Sequence, residues 1–227
     1  MLTDSSIKVV RVGATSGAEG GIFQYIPNTF NATNGTTVTF QFTGAPGNHT
    51  VTQSSFADPC DPLAGGFDSG WVSIPSSPAL TAADTPEWNL TITDDTKPIW
   101  FFCKQILPSA HCTSGMVGAI NAPTTGNKTF AAFEAAAKAF KGTPAQVEGG
   151  LVGVGASASA GVGPVPSGVK LFTASAIATT STKSSAATTS GSAAAAPSST
   201  SKSSDAKKLI ASSFVVLLGT AIGISLA

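Results

Sequence analysis

Apolar and polar residues alternate with a period of two over much of the first half of the chain. In TTVTFQF (residues 36–42), Val38, Phe40 and Phe42 fall on one face and Thr37, Thr39 and Gln41 on the other, the pattern of a strand with one buried and one wet side. The segments IKVVRV (7–12), HTVTQS (49–54), EWNLTIT (87–93), PIWFFC (98–103) and MVGAIN (116–121) are also short and rich in β-branched or aromatic residues. Gly, Pro, Asn and Asp separate them, and TDDTKP (93–98) is a turn by composition. Six or more short strands with no helical pattern between them predict an all-β domain, a β-sandwich with one core, over residues 1–125.

After this the period changes. In NKTFAAFEAAAKAF (127–140), Phe130, Phe133, Ala137 and Phe140 form one helical stripe among strong helix formers. That predicts a short helical extension over 126–145, packed on the domain rather than held out for a partner. GGLVGVGASASAGVGPVPSG (149–168) has the composition of a flexible chain, so 146–172 is expected to be a Gly-rich linker. Residues 173–208 are almost all Ser, Thr and Ala, too poor in apolar side chains to offset the entropy of ordering. They are expected to be a disordered, O-glycosylated stalk.

The chain closes on nineteen uncharged, largely apolar residues, 209–227. Small residues, a polar spacer and a terminal hydrophobic segment are the order of a glycosylphosphatidylinositol (GPI) anchor signal, with attachment expected between Gly191 and Ser201. A transmembrane helix is the alternative. Anchoring requires secretion, yet the N-terminus shows no apolar signal-peptide core, so the sequence is expected to be a mature form or a truncated gene model. Five N-x-[ST] sequons, at Asn31, Asn34, Asn48, Asn89 and Asn127, point to the secretory route rather than to a cytosolic tail-anchored protein.

Charge adds little: 12 basic residues balance 12 acidic ones, which gives no electrostatic case for a nucleic-acid partner. Candidate chemistry is confined to CKQILPSAHCTSGM (103–116). It holds two of the three cysteines, one of the two histidines and one of the two methionines. Cys103 ends a predicted strand, Met116 begins the next and His111 lies between them. His49, the other histidine, opens HTVTQS and reaches the same pole if neighbouring strands run antiparallel. Two imidazoles, one thiolate and a thioether suit copper in both oxidation states, with methionine as the weak axial ligand. Three cysteines permit three single disulfides; a metal role for Cys103 leaves Cys60 and Cys112 to pair and tie the ligand-bearing loops together. A zinc site of Cys103, Cys112 and the two histidines is the competing metal assignment.

NHTVTQSSFADPCDP together with IWFFCKQILPSAHCTSGMVGAINAP, followed by the Ser-rich tail, resembles the fungal extracellular serine-rich proteins of the cupredoxin superfamily, which are similar here to phytocyanins. The resemblance covers roughly residues 7–140. It implies a Greek-key β-sandwich, one mononuclear type 1 copper ion held by His49, Cys103, His111 and Met116, and a Cys60–Cys112 loop disulfide. The connection KQILPSA between Cys103 and His111 is longer than relatives usually have.

Two histidines cannot build a trinuclear oxidase cluster, and neither G-x-S-x-G nor H-E-x-x-H occurs. The expectation is therefore a non-enzymatic, one-electron carrier on the extracellular face of the plasma membrane or in the cell wall. Its redox partner is unidentified, the membrane is reached through the lipid anchor, and cell-wall polysaccharide is a further candidate partner. The exposed edge of His111 is the expected electron port, and Ile106 and Leu107 either form a docking patch or pack inward. A glycan at Asn48 would crowd the metal pole. The alternatives are a structural or adhesive wall glycoprotein with an apo fold, and a copper-sequestering protein.

Overall fold

A computed structural model of the protein describes residues 8–172. The stalk expected at 173–208, the anchor signal expected at 209–227 and the anchor attachment site lie outside the described residues. No helix among the described residues is long and apolar enough to cross a membrane.

The first sheet has five strands. β1 (Lys8–Val12) runs parallel to β4 (Thr37–Phe42) and antiparallel to β2 (Tyr25–Ile26). On its other side β4 pairs antiparallel with β8 (Glu87–Ile92), which pairs with β11 (Ala156–Ala158). A second sheet has the order β3 (Thr29–Phe30), β10 (Val117–Ile120), β9 (Ile99–Phe102), β6 (Thr52–Ser54). A third joins β12 (Lys170–Phe172), β7 (Trp71–Ile74) and β5 (Gly47–His49).

The alternation in β4 is realised: Val38, Phe40 and Phe42 are fully buried in the main core, with Val10 and Val12 of β1 and Trp88, Leu90 and Ile92 of β8. The facing sheet contributes Ile99, Phe101 and Ile120, and the rings of Phe40 and Phe101 meet edge-on at 5.5 Å. The two sheets thus share one apolar layer, the condition for a sandwich. The polar face of β4 is used for cross-strand pairing, with Thr39 Oγ1 donating to Asn89 Oδ1 and Gln41 Nε2 to Glu87 Oε1, each at 2.7 Å.

β9 reads IWFF without alternation because both its faces are covered. Ile99 and Phe101 enter the main core, while Trp100 and Phe102 point to a second cluster with Phe133 and Ala137. Those two belong to α1 (Phe130–Ala139), whose N-cap Thr129 accepts from the Ala132 N–H. Trp100 and Phe133 stand 4.7 Å apart, so α1 packs on the domain as its stripe predicts.

Residues 146–172 depart from the expected linker. They lie along the sandwich and supply β11 and β12, and Ala156, Ala158, Val162 and Val169 are buried. The side chain of Gln53 holds this segment in both directions, Nε2 donating to Val154 O at 2.7 Å and Oε1 accepting from Val154 N–H at 2.9 Å. Small residues can lie close against the edge strand β8, and its unpaired backbone groups capture the chain. Glycine content here permits close approach rather than mobility.

Candidate metal centre

Four elements bring the predicted ligands to one pole. His49 ends β5 instead of opening the next strand, because the chain crosses from the third sheet to the second between His49 and Thr52. Cys103 follows β9 and Met116 precedes β10, joined by a bond from Cys103 N–H to Met116 O at 3.1 Å. His111 opens a turn that Gly115 closes at φ 98°, and the Met116 N–H donates back to His111 O at 2.9 Å. The long connection from Cys103 is drawn in where the His111 N–H donates to Gln105 O at 2.9 Å. Its excess length is displaced outward: Leu107 is exposed and Ile106 half-buried.

The ligand atoms of His49, Cys103 and His111 all lie within 4.8 Å of one another, and all three residues are buried. Cys103 Sγ stands 3.4 Å from His111 Nδ1 and 4.0 Å from His49 Nδ1. Donors bound at about 2.0–2.3 Å to a common ion stand about 3.4–3.8 Å apart in trigonal or tetrahedral arrangements. The Cys103–His111 spacing lies in that range, and a small inward shift of the His49 ring would bring the 4.0 Å spacing into it. Met116 is fully buried in the same core cluster as Cys103.

The electrostatics follow from burial. Desolvation, reinforced by neighbouring His111, pulls the His49 imidazole down to about 3, and desolvation pulls His111 down to about 4. Burial pushes the Cys103 thiol up to about 11, against hydrogen bonds from the Gln105 and Thr50 backbone. At neutral pH without an ion, the site therefore holds two neutral imidazoles and a thiol. It is ready for a soft cation except for one proton on sulfur.

Three glycines enclose the far edge of His49. A Cβ on Gly13, Gly44 or Gly47 would come within 2.5, 2.8 or 2.6 Å of its Nε2. Phe23 stacks on His111 at 3.9 Å with 26° between the planes. Consequently His111 is only 2% exposed, and the exposed imidazole edge expected from the sequence is covered. Gly13 and Phe23 lie in GATSGAEGGIFQ (13–24), and Gly44 and Gly47 in TGAPGN (43–48), segments whose apolar residues follow no period.

Cys60 and Cys112 form a disulfide, Cα atoms 5.8 Å apart, across 52 residues of sequence. The zinc assignment through Cys112 therefore loses one of its four ligands. Among the sequons, Asn31, Asn34, Asn89 and Asn127 are exposed. Asn48 is half-buried and its Nδ2 donates to Gln105 Oε1 at 3.4 Å.

A curated protein of Arthroderma benhamiae named "Probable GPI-anchored cupredoxin-1" is 34% identical over 145 residues, covering 63% of this chain and 69% of its own length. The chain belongs to the cupredoxin family. A second relative of this cupredoxin, an "Extracellular serine-rich protein" of the same fungus, is 30% identical over 166 residues, 66% of this chain; the match spans 58% of that relative. Among solved structures, a mutant fern plastocyanin is similar at 19% identity over 49% of this chain and 96% of its own (TM-score 0.29). An auracyanin from Roseiflexus castenholzii is similar at 18% identity over 51% and 95% (TM-score 0.32). No family model matches the chain.

Proposed function

We propose that this cupredoxin is a cell-surface protein in which His49, Cys103, His111 and Met116 would hold one mononuclear type 1 copper ion, and that it transfers single electrons without catalysing a reaction. The observation that carries this reading is the convergence of two imidazole nitrogens on one buried thiol, at 3.4 and 4.0 Å. Bound copper would supply a one-electron couple between its two oxidation states.

The protein's own part is preorganisation. Burial keeps both histidines unprotonated, the glycine cradle holds the ring of His49, and Phe23 shields His111 from water. Cys103 gives up its proton on binding, and the Thr50 N–H, 3.3 Å from Sγ, stabilises the resulting thiolate. With His111 covered, electrons would pass through the Phe23 side of the pole rather than through a bare imidazole. The relatives' names, the expected anchor signal and four exposed sequons support a GPI-anchored position outside the cell.

The test is secretion of residues 1–172, which include the strands supplied by 146–172, followed by metal analysis and an absorption spectrum with Cu(II). One copper per chain, an intense thiolate charge-transfer band that Cys103→Ser abolishes, and reversible bleaching by a reductant are expected. A colourless protein that takes up no copper would refute the proposal and leave the structural or adhesive role. Copper that binds but does not cycle would indicate sequestration.

A further inference from the structure

Lys104, next to the thiol ligand, is fully buried and paired with Asp68, whose side chain is 2% exposed. Burial of an ion pair is costly and tolerable only when every remaining donor and acceptor is satisfied. Here they are. The Lys104 ammonium also donates to Val147 O at 3.2 Å and lies 4.0 Å from the centre of the Trp71 ring. Asp68 Oδ1 accepts from Thr52 Oγ1 at 3.1 Å and Gly70 N–H at 2.9 Å, while Oδ2 accepts from Lys104 and from Gly149 N–H at 3.1 Å.

The pair closes a ring. The Lys104 backbone N–H donates to Thr50 Oγ1 at 3.0 Å, and Thr50 Oγ1 lies 2.9 Å from Thr52 Oγ1. The Thr52 hydroxyl proton is committed to Asp68, so the Thr50 hydroxyl must donate to Thr52. Every proton in the circuit from the Lys104 backbone through Thr50, Thr52 and Asp68 to the Lys104 ammonium is thereby assigned. Thr50 follows His49 and presents its own N–H to Cys103 Sγ; Lys104 follows Cys103. The ring thus bolts together the two strand ends that carry the ligands, and residues 147–149 are fastened to its back.

An apolar pair of similar volume would fill the same space, often at no cost in stability, so packing does not account for a charged pair at this position. We propose that the Lys104–Asp68 pair, with Thr50 and Thr52, is a positioning device that fixes the Thr50 N–H and Cys103 Sγ relative to each other. This rests on Cys103 being a metal ligand for its functional meaning, but the geometry can be tested without metal.

The secreted protein is prepared metal-free with its disulfide intact, so that Cys103 is the one free thiol, and its alkylation by iodoacetamide is timed. Two variants are compared with the parent: Lys104→Met/Asp68→Leu, which removes both charges, and Thr52→Val, which cuts one link of the ring at constant shape. Labelling is expected to rise about fivefold or more in each, the factor that one lost buried hydrogen bond of ordinary worth produces. Exchange of the Thr50 amide should accelerate with it, and the Cu(II) absorption maximum should shift. Folded variants with parental labelling, Thr50 protection and spectrum would overturn the inference, and Thr52→Val alone decides if the double variant does not fold. Absence of copper from the parent protein would sink the proposed function, while the alkylation rates would still decide the ring.

Discussion

The glycine cradle offers a direct test of how the metal pole is built. A methyl group introduced by Gly13→Ala would lie 2.5 Å from His49 Nε2, 2.8 Å from Cδ2 and 2.9 Å from Gly44 Cα. Ordinary contact begins near 3.4 Å, so the ring must retreat by about 0.9 Å, a large displacement against a metal–nitrogen bond of about 2.0 Å. Gly13 also has φ of 75°, which costs a side-chain-bearing residue about 1–2 kcal/mol, and overpacking adds about 1–3 kcal/mol. The metal-free variant should lose about 2–5 kcal/mol in urea unfolding. Copper affinity, measured by competition with a chelator, should fall about 10–100-fold, as when a ligand's supporting shell is removed. Gly17→Ala is the control: Gly17 has φ of 91° but nothing within 4 Å of an added Cβ, so it carries the backbone strain alone and should leave affinity unchanged. If Gly13→Ala destabilises no more than Gly17→Ala and binds copper as tightly as the parent, the claim that the cradle positions His49 is wrong.

Other outcomes follow from the same geometry. Replacing both Cys60 and Cys112 by Ala releases a 52-residue loop, which chain-entropy arguments put at about 4 kcal/mol; a loss under about 1 kcal/mol in urea unfolding would contradict that account. In the metal-free protein both buried histidines have folded pKa values, about 3 and about 4, below the unfolded value near 6.5. Their contribution is complete above pH 6.5 and is lost as pH falls toward about 4 for His111 and about 3 for His49, because the unfolded chain takes up protons that the folded one does not. Stability should drop by up to about 1.4 kcal/mol per pH unit per ring, and equal urea midpoints at pH 7 and pH 5 would contradict this. Phe23→Ala removes the ring that covers His111, so diethylpyrocarbonate should modify His111 in the metal-free variant much faster than in the parent; equal rates would show that other groups shield it.

Much of the site was legible in the chain because its ligands are rare residue types at strand ends. With two histidines and three cysteines in 227 residues, few combinations existed, and a period-two pattern placed Cys103 and Met116 at adjacent strand boundaries. What was missed is of a different kind. Phe23 and Gly13 lie in a loop of unremarkable composition, and their importance comes from touching histidines far away in sequence. Lys104 would ordinarily be solvated; it is buried only because Asp68, Trp71 and Val147 surround it. Likewise, β11 and β12 span three residues each, too short for any period to register.

The order of residues by itself determined the strand faces, the helix stripe, the small set of metal-capable side chains and the expectation of secretion, because each depends on local spacing or on composition. Only the tertiary structure decided that the glycine-rich segment after α1 belongs to the sandwich, that His111 is covered, and that a charged pair sits behind the thiol. Those features depend on which distant groups share a water-free space. Burial reverses what a residue does there: it orders glycines, neutralises imidazoles, and turns a lysine from a surface charge into a structural link.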